Sequence, residues 1–161
     1  MYADLRQQAA QLARRWPGSH GPDSIVLMQD VRALPVIWQT LVGPDGTTCD
    51  RCAATQAEVE RAVEVLGQVL HPLGIEPRLE VAELDQAAFK ANPDESNRIW
   101  VAGKLLEDWI DGRVGSSRCC GVCGDSDCRT VEVGGSIYEK IPERLIVRAA
   151  LIAASDLLAD G

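Results

Sequence analysis

Cys49 and Cys52 stand either side of Asp50-Arg51, and the chain's other four cysteines, Cys119, Cys120, Cys123 and Cys128, fall within one ten-residue stretch. A thiolate can attack a disulfide or bind a soft metal ion, so spacing and surroundings decide between redox and metal chemistry. The pair Cys49-x-x-Cys52 follows a β-rich run and opens an amphipathic helical pattern. A helix N-terminus offers unpaired N–H groups and a partial positive charge, which stabilise a thiolate. In that setting Cys49 is the expected outer, attacking thiol and Cys52 the resolving one. Thr48 is the expected helix cap. Arg51 favours the thiolate and Asp50 opposes it. The competing reading of the same spacing is half of a structural zinc site.

The second constellation runs Cys119-Cys120-Gly121-Val122-Cys123-Gly124-Asp125-Ser126-Asp127-Cys128. Cys120-Gly121-Val122-Cys123-Gly124 has the form of a zinc-knuckle turn, where glycine lets backbone amides face sulfur. Cys128 is a candidate third ligand, with Cys119 or Cys49 the fourth. Cys119 and Cys120 are adjacent and point in different directions, which strains any single tetrahedral site using both. Structural zinc, another thiophilic ion and reversible disulfides all remain open for this stretch.

Other reactive types are sparse. His20 and His71 are the only histidines, each beside turn residues, and nothing marks a positioned base for a Ser-His-Asp hydrolase. Trp38, Trp100 and Trp109 read as packing residues. Glu58, Glu60 and Glu64 read as a solvated helix face. Gly134-Gly135 reads as a hairpin turn, since no Lys-Ser/Thr follows as a phosphate loop requires.

The elements that must position the thiols follow from pattern and punctuation. Leu5, Ala9, Leu12 and Trp16 predict a helix stopped by Pro17-Gly18, and Ile25–Met28 a short strand. Val36–Val42, bounded by Pro35 and Gly43-Pro44, predicts a strand. Val59, Ala62, Val63, Leu66, Val69 and Leu70 share one helical face, ended by His71-Pro72 and Gly74. Arg78–Leu84 alternates about an inward Leu79 and Val81. Asp85 caps a short helix through Ala91. Asn97–Val101, Ala102-Gly103 and Lys104–Ile110 predict a β-hairpin. Residues 111–130 form a Gly-, Ser- and Cys-rich insert, followed by a hairpin at Val131–Val133 and Ser136–Tyr138. Pro142 opens a last helix with Leu145, Ala149, Ile152 and Ala153 on one face.

The chain has 161 residues, 46% of them hydrophobic, enough for one domain with a buried core. Residues 1–34 are expected to be an N-terminal extension packed on a domain at 35–161. The net charge of −8, with no basic cluster, argues against nucleic-acid binding. The longest apolar run, Ala149–Ala154, is far short of the roughly 20 residues that span a membrane. Residues 1–16 show no basic segment followed by an apolar run. The expectation is therefore a cytoplasmic protein, where clustered cysteines are reduced, metal-bound or redox-active.

The order β, CxxC, α, β, α, β, β, insert, α is the thioredoxin-like α/β topology, with its first two strands parallel. Cys49–Leu158 also resembles an uncharacterised bacterial and archaeal family of the thioredoxin-like superfamily. The matching residues are Cys49-x-x-Cys52, Ser96-Asn97-Arg98-Ile99-Trp100-Val101-x-Gly103, Leu106-Glu107-x-Trp109, Cys119-Cys120-x-x-Cys123 with Cys128-Arg129, and Tyr138-x-x-Ile141-Pro142. The resemblance implies a fold and no activity. It also exposes a departure: Asn97 takes the place where thioredoxins carry a cis-proline facing the dithiol. A cis bond before a non-proline residue costs about 3 kcal/mol, so a trans bond is expected. The superfamily's proline keeps metals off the dithiol and helps dock extended substrates. Its loss shifts weight towards metal capture.

In this topology the hairpin at 97–110 returns the chain to the dithiol edge before the insert begins, so the thiols are expected to converge on one rim. Two function classes follow. One is a thiol–disulfide oxidoreductase acting through Cys49 and Cys52 on a redox partner. The other is a non-catalytic protein that holds or passes on zinc, arsenite or mercury through its clustered cysteines.

Overall fold

The computed structural model describes residues 31–43, 45–119 and 123–160. The expected first helix, the Ile25–Met28 strand, His20 and Cys120 lie outside the described residues. The described chain is a mixed α/β structure with two sheets.

The first sheet is built on β1 (Arg32–Leu41), whose alternation sends Leu34, Val36, Trp38 and Thr40 into the interior. Its parallel partner β2 (Ile75–Leu84) pairs from Arg32↔Ile75 to Leu41↔Leu84. This pairing carries β1 back past Pro35 to Arg32. Pro35 is tolerated in a central strand because the β3 ladder stops beside it at Val36↔Val101, with the Ala102 N–H donating to the Pro35 carbonyl at 2.8 Å. Val81, expected inward, is 51% exposed, since β2 is the sheet's edge.

Between β1 and β2 runs α1 (Asp50–Leu70), which buries Cys52, Thr55, Val59, Ala62, Leu66 and Leu70 at three- and four-residue steps. A 3₁₀ turn at His71–Leu73 and a left-handed Gly74 end it as predicted. Helix α2 (Gln86–Ala91) is capped by the Asp85 carboxylate, which accepts the Ala88 N–H at 2.8 Å.

Strand β3 (Arg98–Val101) runs antiparallel to β1, and β4 (Lys104–Leu105) antiparallel to β3, giving the order β2-β1-β3-β4. The expected strand to Ile110 stops after two residues and gives way to a helical turn, α3 (Leu106–Trp109). Burial explains the switch. Leu106 and Ile110 are four residues apart, both buried, and the Trp109 indole donates to the Val101 carbonyl at 2.9 Å.

The insert is also more regular than predicted. Strands β5 (Arg113–Arg118), β6 (Asp127–Val133) and β7 (Ser136–Tyr138) form a second, antiparallel sheet. Gly134 and Gly135, at φ 58° and 80°, make the expected tight turn between β6 and β7. Helix α4 (Glu143–Ala159) packs on α1 and β3. Its buried face is Leu145, Ile146, Ala149, Ala150, Ala153 and Ala154; Ile152, expected inward, is partly exposed. Pro142 is the cap residue and lacks a capping side chain. Glu58 of α1 supplies one instead, accepting the Glu143 N–H at 2.9 Å and pairing with Lys140 at 3.0 Å. These bonds pull the Glu58 carboxyl down to about 2, so Glu58 is a helix-to-helix clasp and no mere solvated charge.

Candidate functional site: a sulfur cluster at the start of a helix

Cys49 is the cap residue of α1 and Cys52 lies in its first turn. The capping position falls on Cys49 and not on Thr48. The Thr48 hydroxyl instead meets that of Thr40 at 3.0 Å, joining the floor of the site to β1. The third hydroxyl comes from Ser96, two residues before β3, with Oγ 3.7 Å from the Cys52 sulfur. Ser96 Oγ also accepts the Leu41 N–H at 3.2 Å, which fixes it against the end of β1.

These groups surround Cys52 with donors. The hydrogen bond from the Cys49 thiol pulls the Cys52 thiol down from 9.0 to about 6; burial opposes this, and the hydroxyls of Thr40, Ser96 and Thr48 add to it. These bonds favour the charged form of the inner cysteine. The expected difference in exposure is absent, since Cys49 is 3% exposed and Cys52 2%. Sequence reasoning placed Cys49 at an open helix end; the insert covers it.

The cover carries its own sulfurs. The Sγ atoms of Cys49, Cys119 and Cys123 all lie within 4.8 Å of one another. Cys119 is joined to Cys128 by a disulfide. The expected convergence is thus found, by a different route from the one anticipated. The short β4 does not deliver it; β5 and β6 do, as two arms whose ends place Cys119 and Cys128 over the helix start. Cys128 packs with Leu41 and Phe89, and Cys119 and Cys123 pack against that group.

Arg51 ties the cover down. Its guanidinium pairs with Glu139 at 2.9 Å and donates to Ser117 Oγ at 2.9 Å, so it grips the second sheet and is not a partner of the Cys52 thiolate. Ser117 and Arg51 together hold the Glu139 carboxyl below the usual range. Asn97 has the expected trans bond, with φ 59°, a left-handed conformation that asparagine tolerates. It is buried, accepts the Trp38 indole N–H at 3.2 Å and donates to the Glu139 carbonyl at 3.4 Å. Asn97 thereby ties the start of β3, next to Ser96, to Trp38 and Glu139.

A cleft of about 190 Å³ opens beside the cluster, lined by Leu41, Gln86, Phe89, Lys90, Cys123 and Gly124. Cys123 is partly exposed and is the cluster sulfur that faces this cleft. Ser96, Thr40 and the cleft-facing role of Cys123 were not found from sequence. The antiparallel register of β3 on β1 was the available signal for Ser96.

The residues test a zinc site as follows. With the Cys119–Cys128 bond formed, Cys49 and Cys123 are the remaining thiols of the trio, short of the four ligands that structural zinc takes. Cys128, proposed as a ligand, lies outside the trio. Among the described residues, a site that uses all three of these sulfurs requires that bond to be reduced first.

No helix among the described residues is long and apolar enough to cross a membrane. No solved structure matches the chain. An "Uncharacterized protein" of Archaeoglobus fulgidus is 44% identical over 102 residues, covering 63% of this chain and 74% of that relative. The family model described as "Domain of unknown function (DUF2703)" matches residues 34–150, from near the start of β1 into α4, and so includes every sulfur of the cluster. The chain belongs to that family.

Proposed function

We propose that this protein is a thioredoxin-like thiol–disulfide exchange protein whose working dithiol is Cys49 and Cys52. The observation that carries the reading is the seat of the pair: two neighbouring thiols in the first turn of α1, with the Cys49 thiol hydrogen-bonded to the Cys52 sulfur and three hydroxyls around it. The β-α-β unit with parallel β1 and β2, the antiparallel β3–β4 hairpin and the closing helix support the fold half of this reading. In exchange, one cysteine attacks a partner disulfide and releases one partner sulfur. The other then displaces the second, leaving a Cys49–Cys52 disulfide and a reduced partner. The test is reduction of a small aromatic disulfide by wild type, Cys49→Ser and Cys52→Ser, with loss of turnover expected in both variants and unchanged turnover counting against the reading.

A second reading has its own observation, the three sulfurs within 4.8 Å. With Cys119 reduced, the trio suits a thiophilic ion that accepts three sulfur ligands, such as arsenite. Elemental analysis of reduced and oxidised protein after arsenite exposure separates the readings: retention by the reduced form alone supports ion capture.

A further inference from the structure

We propose that the Cys119–Cys128 disulfide is the internal exchange partner of the Cys49/Cys52 dithiol, with Cys119 the sulfur under attack and Cys128 the leaving group. This rests on the exchange reading above and names the acceptor for it. Both dithiol cysteines are buried, and the disulfide that stands beside them belongs to the chain itself. Cys119 Sγ lies within 4.8 Å of Cys49 Sγ, whereas Cys128 Sγ is not part of that close group, so the geometry selects which sulfur is attacked. Thiol–disulfide exchange runs through such a mixed disulfide.

The steps balance within the chain. The Cys49 proton passes along its hydrogen bond to the Cys52 sulfur, and the Cys49 thiolate attacks Cys119. The Cys49–Cys119 bond forms as the Cys119–Cys128 bond breaks, and Cys128 leaves with the electron pair. Cys52 gives up its proton and attacks Cys49. The Cys49–Cys52 bond forms, and Cys119 leaves with its electron pair. Two electrons have moved from the dithiol to the insert. The one proton and one negative charge first held by Cys49 and Cys52 are now shared by Cys119 and Cys128.

Cys123 completes the arrangement. It lies within the same 4.8 Å group and faces the cleft with Phe89 and Lys90. Its thiolate can attack Cys119 of the Cys119–Cys128 bond, so that Cys119–Cys123 forms as Cys128 leaves with the electron pair and takes up the proton that Cys123 gave up; this gives the relay a contact with solvent that Cys49 lacks.

The experiment uses the full chain, fully reduced and then mixed with one equivalent of glutathione disulfide, acid-quenched over time and mapped by mass spectrometry. Wild type should show Cys119–Cys128 and Cys49–Cys52 bonds interconverting at a rate independent of protein concentration. Cys49→Ser should lose the interconversion while still forming Cys119–Cys128. Cys52→Ala should accumulate the Cys49–Cys119 bond, because the resolving step is missing. Cys52→Ser, nearer in shape to the native thiol, serves where Cys52→Ala fails to fold; Cys119 there should likewise stay bonded to Cys49. If Cys49–Cys52 forms but neither variant yields Cys49–Cys119, the relay falls and the exchange reading stands. If Cys49–Cys52 never forms, both fall.

Discussion

The Sγ atoms of Cys49 and Cys119 lie within 4.8 Å although one caps α1 and the other follows β5. Arg51 fixes this approach, by reaching from the CxxC turn to Glu139 and Ser117 of the covering sheet. Glu139 is largely exposed but the Arg51 side chain is only 11% exposed, so this is no simple surface pair of about 0–1 kcal/mol. Arg51→Ala should therefore cost more stability in urea denaturation than removal of a surface charge does, and should raise the alkylation rate of Cys49. An unchanged Cys49 rate would show that Arg51 does not hold the cover.

Exposure sets the order in which thiols react. Cys123 faces the cleft, whereas Cys49 and Cys52 are buried. In a time course with N-ethylmaleimide on the native protein, Cys123 should be modified before either of them. Labelling of Cys49 first would contradict the position of the insert.

The Cys52 thiol also makes stability depend on pH. Its folded value is pulled from 9.0 down to about 6, so the folded state binds fewer protons between those limits. The stabilisation is fully present above the unfolded value and is lost as pH falls through about 6. Each unit of displacement is about 1.4 kcal/mol. Reduced wild type should thus gain stability over Cys52→Ala as pH rises from about 6 to about 9. Urea midpoints that keep a constant gap across this window would contradict the assignment of the thiolate to Cys52.

Arg129, next to Cys128 in β6, forms a buried ion pair with Glu107 of α3, and its Nη1 also donates to the Asp94 carbonyl at 3.3 Å. Removing one partner leaves a buried charge unmatched, at about 3–5 kcal/mol. Glu107→Ala and Arg129→Ala should each cost that much in urea denaturation, and the double variant less than their sum. Strict additivity would show that the two side chains act independently.

The β-α-β unit was legible because its signals are local: the apolar run at Val36–Val42, the helical spacing from Val59 to Leu70, and the stops at His71-Pro72 and Gly74. The insert was not. Gly115, Ser116 and Ser117 carry no strand signal, yet Gly115 pairs with Thr130, where a Cβ would come within 2.9 Å of the Thr130 hydroxyl oxygen. Ile110 looked like strand because its burial alongside Leu106 is a tertiary fact. The cysteines themselves announced a thiol site, but their division of labour did not show. Burial of Cys49 comes from residues far along the chain, and the lowering of the Cys52 thiol, due first to Cys49, is strengthened by Thr40 and Ser96, which meet it only across the sheet.

The proposed exchange requires Cys49 and Cys52 to be a working redox pair. Equilibrating the full chain in glutathione buffers of graded potential, followed by acid quench and disulfide mapping, reads that requirement directly. A reversible Cys49–Cys52 disulfide should appear across one two-electron transition and vanish in Cys49→Ser. Cys49 and Cys52 remaining unlinked at every potential, while Cys119–Cys128 titrates normally, would contradict it.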